Sequence, residues 1–406
     1  MKIVFNKQHV FAFTVAYMLS FLALLNLGNE IFNLFGMVNQ LDTIVLYGLL
    51  VGLVVLGIFL TFNDRVHFKL DILCVVVFLA VAFVVTYVLF PENVKYLFTS
   101  WTDFFTNPIY ILFIYTLPGF AFARQLKDYE FFNYILRIFS YITVTLSVIV
   151  FFFAKGSSAS QYMTFSYNML TQLFFLILHE PQKYKAFHYI VVILGMFAFA
   201  FGGARGAMLS LIIAGLIFYF MTYKPTKKNV LTCTVIVTIG VAIALFKSSI
   251  LIFISDVLDR LLIDSRTFRY LATGEIFDDS NRFQLYETSI DNIGILGKGI
   301  MGDRVILGYY SHNLFLELLV QFGLLLGILL IGVICGCVIS AILKKDRPEY
   351  IYIILLLPCG FLKLMITGSY LHQEPAFYIL LGLCLNSILR SNDYANTYDK
   401  YSIRTR

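Results

Sequence analysis

Charged residues make up only 13% of this 406-residue sequence, and 60% of it is hydrophobic. A charged share of about a quarter is usual in soluble domains, so a water-soluble fold is excluded. Cysteine is sparse too. All six (Cys74, Cys233, Cys335, Cys337, Cys359 and Cys384) fall inside apolar runs, where a thiol behaves as a small buried hydrophobe. Neither a disulfide framework nor a metal cluster is expected. There is no repeat of 20–50 residues, no low-complexity tract, and no small-x-small cleavage site after the first apolar run, which reads as a retained helix. The net charge of +6 is not read as a nucleic-acid footprint, because basic residues in membrane proteins record orientation.

What the chain has instead is apolar sequence in lengths that suit a bilayer. A transmembrane helix needs roughly 20 such residues. Reading between polar breaks gives about twelve spans, near 9–28, 42–61, 72–90, 107–123, 138–153, 162–179, 187–202, 206–222, 230–247, 313–340, 350–368 and 375–390. If the N-terminus is cytoplasmic, the inside turns carry most of the basic residues, among them Arg65, Arg124, Arg137, Lys227, Lys344, Arg347 and Arg390. Apart from Arg205, the short outside turns carry only Lys95 and Lys155, so both termini are expected in the cytoplasm. The exception is segment 248–311, a long stretch on the far side that contains Arg260, Arg266, Arg269, Arg282, Lys298 and Arg304. It is expected to be partly folded, with amphipathic helices around Leu251 to Ile263 and Phe283 to Ile293. The expectation is one all-α polytopic domain, 1–406, with 248–311 as a large extracytoplasmic loop.

Three short patterns could carry chemistry. Gly202-Gly203-Ala204-Arg205-Gly206 occupies a tight outside turn, where Gly203 and Gly206 let backbones approach and Arg205 starts a helix. A guanidinium beside helix N-terminal amides suits a phosphate or pyrophosphate; it also suits an arginine snorkelling to lipid headgroups. Ser311-His312-Asn313 precedes a long apolar helix, so a histidine is expected to cap it. An imidazole there can serve as a general base or simply as a hydrogen-bonded cap. In the loop, Asn281-Arg282 leads through Tyr286 to Gly297-Lys298-Gly299, a second arginine before a glycine-bracketed turn. The last outside hairpin, Gly368 to Pro375, adds His372 and Glu374, which read first as interfacial polar residues of a structural hairpin.

In order, the Gly-Gly-Ala-Arg-Gly turn, a helix pair, a large loop with an arginine and His-Asn opening a Gly-containing helix resemble the O-antigen polymerase and ligase family. The resemblance covers roughly residues 190–390. It implies a membrane-embedded glycosyltransferase of the GT-C type, independent of metal and cofactor. In such an enzyme a glycan leaves undecaprenyl pyrophosphate for a hydroxyl outside the cytoplasm. Arg205 and Arg282 would hold pyrophosphate and His312 would be the base, with Gly203, Gly206, Asn313, Tyr286, His372 and Glu374 as secondary candidates. Tyr286 stands where a tryptophan often follows the loop arginine. The implied setting is the bacterial plasma membrane, with membrane lipid, a flippase and a chain-length regulator as partners and no nucleic acid.

Within that resemblance, a polymerase of lipid-linked repeat units for capsule or lipopolysaccharide is the leading expectation. A ligase or a protein O-oligosaccharyltransferase would use the same donor chemistry. From other classes, a twelve-helix transporter and a non-catalytic assembly scaffold stand as rivals. Against transport, ionisable groups inside the spans are scarce, Lys363 being the clearest basic one.

Overall fold

The computed structural model describes residues 6–34, 41–63, 70–97, 108–153, 159–202, 204–222, 280–372 and 375–390. Helix is the regular structure among them, and the chain is an integral membrane protein. In order, the helices are α1 (Lys7–Leu34), α2 (Leu41–Asn63), α3 (Leu70–Leu89), α4 (Val94–Leu97), α5 (Pro108–Tyr110), α6 (Leu117–Gln125), α7 (Tyr129–Phe153), α8 (Ala159–Leu178), α9 (Lys185–Gly202) and α10 (Arg205–Thr222). After segment 223–279, which holds the expected span 230–247 and the expected helix at Leu251 to Ile263 and lies outside the described residues, come α11 (Ser280–Asp291), α12 (Gly302–Leu307), α13 (Leu314–Ile342), α14 (Tyr350–Leu356), α15 (Lys363–Ile366) and α16 (Pro375–Leu389). Among the described residues, five helices are long and apolar enough to cross a membrane, α1, α2, α3, α7 and α13, and five shorter apolar helices accompany them.

The lipid leaves its mark on side-chain exposure. Val55 and Phe59 on α2, Val84 and Val88 on α3, and Leu325, Leu329 and Val333 on α13 are large, apolar and exposed. Such a belt would aggregate in water and is satisfied by hydrocarbon. Helices α1, α6, α7, α8, α14 and α16 supply the interior, where Phe11, Tyr17, Phe21, Phe132 and Phe175 are almost fully buried.

Three expected spans differ in detail. The span near 138–153 begins earlier, at Tyr129, because the side chain of Asp128 accepts the Phe131 N–H at 2.9 Å and starts the helix there. Arg137, expected in a cytoplasmic turn, therefore lies within α7. The spans near 107–123 and 350–368 are each interrupted by a π-turn, Ile111–Thr116 and Leu357–Leu362. A prolyl residue at 358 has no N–H to give the regular ladder and accounts for the second.

Basic residues expected in cytoplasmic turns gather where α13 ends. Arg390 Nη1 donates to buried Glu349 at 2.9 Å, Lys344 Nζ to the Ile388 carbonyl at 3.0 Å and Arg347 Nη2 to the Arg390 carbonyl at 3.2 Å. The candidate residues lie where α13 begins, at the other end of this 29-residue helix.

That beginning is not a regular helix. At Gly323 the chain turns to φ 77° and ψ 177°, which frees carbonyls in the preceding turn. The loop fills the gap: the N–H groups of Lys298 and Gly299 donate to the carbonyls of Val320 and Gln321, each at 3.0 Å, and the Leu324 N–H donates to the Gly294 carbonyl at 2.9 Å. The loop is held on its other side as well. Asn93 Nδ2 donates to the carbonyls of Lys298 and Ile300, and the Ile300 N–H donates to the Thr86 hydroxyl. Three backbone hydrogen bonds to the loop thus satisfy groups at the kink, as a buried backbone requires.

The splice tolerates no side chain at its centre. A Cβ on Gly297 would stand 2.1 Å from the Gln321 carbonyl oxygen, and one on Gly323 would stand 2.5 Å from the Gly297 nitrogen. Gly323 also has the positive φ that L residues resist. Gly297→Ala and Gly323→Ala should each lower stability by more than about 1 kcal/mol, read as a fall in the melting temperature of purified protein. Gly332→Ala, on the same helix with open space around it, should leave the melting temperature unchanged.

Candidate functional site

The splice delivers the chain to α12 and then to residues 311–313, and the polar groups there are tightly organised. Asp303 is buried; its Oδ1 accepts from Gln321 Nε2 at 2.7 Å and its Oδ2 from the Ser311 N–H at 3.3 Å. Burial pushes the Asp303 carboxyl above its ordinary value, against the opposing pull of the Gln321 hydrogen bond and the Arg304 charge. Gln321 is itself fixed by the Tyr370 hydroxyl, which donates to its Oε1 at 2.6 Å, and buried Glu317 accepts from the Ser369 hydroxyl. Loop, α13 and the 367–371 turn are therefore joined by one buried network, whose members are costly to leave unpaired.

This network fixes the residue before His312. His312 sits in the left-handed region at φ 55°, a conformation costing of order 1–3 kcal/mol for a non-glycine residue. The helix cap is Asn313 and not the histidine: Asn313 Oδ1 accepts the N–H groups of Phe315 and Leu316 at 3.0 and 3.2 Å. The sequence pattern places an N-cap correctly within one residue, and Asn is the stronger cap former. Freed from capping, the imidazole sits 3.4 Å from the Thr367 hydroxyl through Nδ1 and packs its ring against Tyr310 at 4.3 Å between centroids.

The other candidates converge on the same short stretch, α15 and the turn after it. Arg282, in α11, donates from Nη1 to the Ile366 carbonyl at 3.1 Å, and Asn313 Nδ2 reaches the Met365 carbonyl at 3.3 Å. These are carbonyls that a helix end leaves without partners. Arg205 opens α10 as expected. Its neighbour Gly206 brings the start of α10 against α15: a Cβ there would stand 2.6 Å from the Tyr167 hydroxyl and 3.0 Å from Ile366 Cγ2. The Arg205 side chain, Gly203 and Glu374 lie outside the described residues and atoms. Tyr286 is one turn on from Arg282 in α11 and partly buried. His372 approaches the group from the final turn, with its ring 6.3 Å from Tyr310.

Several members of this group were not legible as site residues. Lys363 reads from sequence as a charge within a span. The structure puts it at the start of the last turn of that helix, with Nζ 5.0 Å from the centroid of Tyr167. Tyr310, Thr367 and Arg304 carry no pattern, and Asp303 and Glu317 pair with the site only through the fold. The one signal available was an acidic residue, Glu317, in the first turn of an otherwise apolar helix, since a carboxyl is rarely placed there without a partner. Among the described residues no group of three or more His, Cys, Asp or Glu side chains could hold a metal ion.

Residues 190–331 match the family model described as O-antigen ligase. The match takes in the α9–α10 turn, α11 and the first part of α13, and stops before α15. No curated protein and no solved structure matches the chain.

Asp303→Ala strips an acceptor from both the Gln321 amide and the Ser311 N–H. It should cost about 1–3 kcal/mol in stability, measured as the midpoint of thermal unfolding. An unchanged midpoint would show that the network does not fasten this loop.

Proposed function

We propose that this chain, which carries an O-antigen ligase family domain over residues 190–331, polymerises lipid-linked oligosaccharide repeat units. The growing glycan would leave undecaprenyl pyrophosphate and join a sugar hydroxyl of the next lipid-linked unit. The observation that carries the reading is the convergence of Arg282, His312 and the start of α10 on residues 363–367. A cationic, partly dehydrated mouth at one end of an apolar bundle is what a pyrophosphate on a long lipid requires. In this reading the mouth faces away from the cytoplasm, both termini face it, and the chain spans a bacterial plasma membrane twelve times, with 248–311 as the outer loop of a GT-C-type architecture.

The chemistry then follows from the groups present. The acceptor oxygen attacks the anomeric carbon as the bond from that carbon to the phosphate oxygen breaks, inverting the centre. Arg205 and Arg282 offset the charge growing on the departing pyrophosphate, an effect that is strong where water is excluded. His312 takes the acceptor proton. If its Nδ1–H donates to Thr367, Nε2 keeps its lone pair for that step, and such a base contributes about 10² to 10⁴ in rate. The left-handed backbone of His312 supports this assignment, because strain of that kind gathers at sites where geometry matters more than stability.

His312→Ala, Arg205→Ala and Arg282→Ala should each abolish long polymer while the amount of protein in the membrane stays normal. Long chains from His312→Ala cells would remove the histidine as base. A gel of surface glycan from a deletion strain separates the family's two activities. Single repeat units on the final acceptor indicate a polymerase, and accumulated long lipid-linked chains indicate a ligase.

A further inference from the structure

Arg304 occupies an unusual position among the charged groups of this mouth. It lies in α12, next to Asp303, yet both Asp303 oxygens are engaged by Gln321 and Ser311. Its own Nε and Nη2 are buried and have no hydrogen-bond partner among the described residues. Those two nitrogens form the side-on fork of a guanidinium, the edge that grips two oxygens of one carboxylate or phosphate. A half-buried cation whose buried edge is unfilled is unfavourable unless an acceptor arrives, and a simple structural arginine would be expected to spend the fork on a carbonyl or carboxylate.

The surroundings indicate what arrives. The Arg304 guanidinium carbon is 5.9 Å from the centroid of Tyr310. The same ring lies 4.3 Å from the His312 ring and 6.3 Å from the His372 ring, centroid to centroid. Arg304 therefore belongs to the ring cluster that holds His312, and it is separate from Arg282, which is tied to Ile366.

We propose that the Arg304 fork binds an oxyanion of the substrate beside His312, as a third anion-holding residue of the mouth. The inference rests on the reading that this mouth is where the glycan is transferred. Two sources present the same chemistry: a phosphate of the lipid-linked substrate, or the carboxylate of an acidic sugar in the repeat unit. The first would make Arg304 part of leaving-group stabilisation. The second would make it a determinant of which glycans are accepted.

The test measures binding without turnover. Full-length protein in phosphatidylcholine nanodiscs is titrated calorimetrically with pyrophosphate and, separately, with glucuronate, for the natural chain, Arg304→Gln and Arg304→Lys. Pyrophosphate binding weakened at least about tenfold by Arg304→Gln, and partly by Arg304→Lys because lysine lacks the fork, establishes the phosphate source. The same loss confined to glucuronate establishes the sugar carboxylate. If neither anion binds the natural chain, or both variants bind within about twofold of it, the proposal is overturned. Should Arg304→Gln fail to give monodisperse protein, Arg304→Lys carries the comparison. Failure of the glycosyl-transfer reading would instead appear as surface glycan of unchanged length from a deletion strain, a result that leaves these titrations interpretable.

Discussion

A break in one helix governs this protein. Where α13 kinks at Gly323, the main chain is deprived of regular hydrogen bonds in a region with little water to replace them, and the loop at 294–299 supplies the missing donors and acceptor. Helix and loop each lack what the other provides. The loop consequently enters the bundle in a single register, set by backbone contact at Gly297 and Gly323 and secured from the far side by Thr86 and Asn93.

The site inherits its order from that register. Gly299 and Met301 take positive φ as the chain leaves the splice, α12 follows within one residue, and Asp303 then meets Gln321 two residues before the kink. From there the Ser311 N–H is held, His312 is set in its left-handed conformation, and Asn313 begins α13. The strain at His312 is local, while the interactions that oppose its release are spread over α3, α12, α13 and the 367–371 turn. Moving the imidazole thus means disturbing several buried hydrogen bonds together, which is how a folded structure keeps a side chain in an unfavourable backbone state.

Much of the helical frame was legible in the sequence because hydrocarbon imposes a length and a composition that can be counted. The helix starts at Arg205 and Leu314 were legible within a residue because the flanking glycines and Asn313 are local signals. The interruptions were partly hidden. Pro358 announces one π-turn, whereas Gly323 looks like any glycine in an apolar helix until the loop is laid against it. The site was half visible. Arg282 and His312 stand in recognisable patterns, but Lys363, Thr367 and Tyr310 join them only through tertiary contact, and nothing in the spacing of 303, 317, 321 and 369 along the chain foretells a shared network.

Arg282 holds the Ile366 carbonyl through one terminal nitrogen. A long flexible side chain normally surrenders considerable rotamer freedom when it grasps a ligand. Here the tether restricts those torsions already in the resting protein, so the entropy is given up during folding and not at the moment of encounter. In the proposed reading, an arm ordered in advance meets a pyrophosphate with less rotamer freedom left to lose.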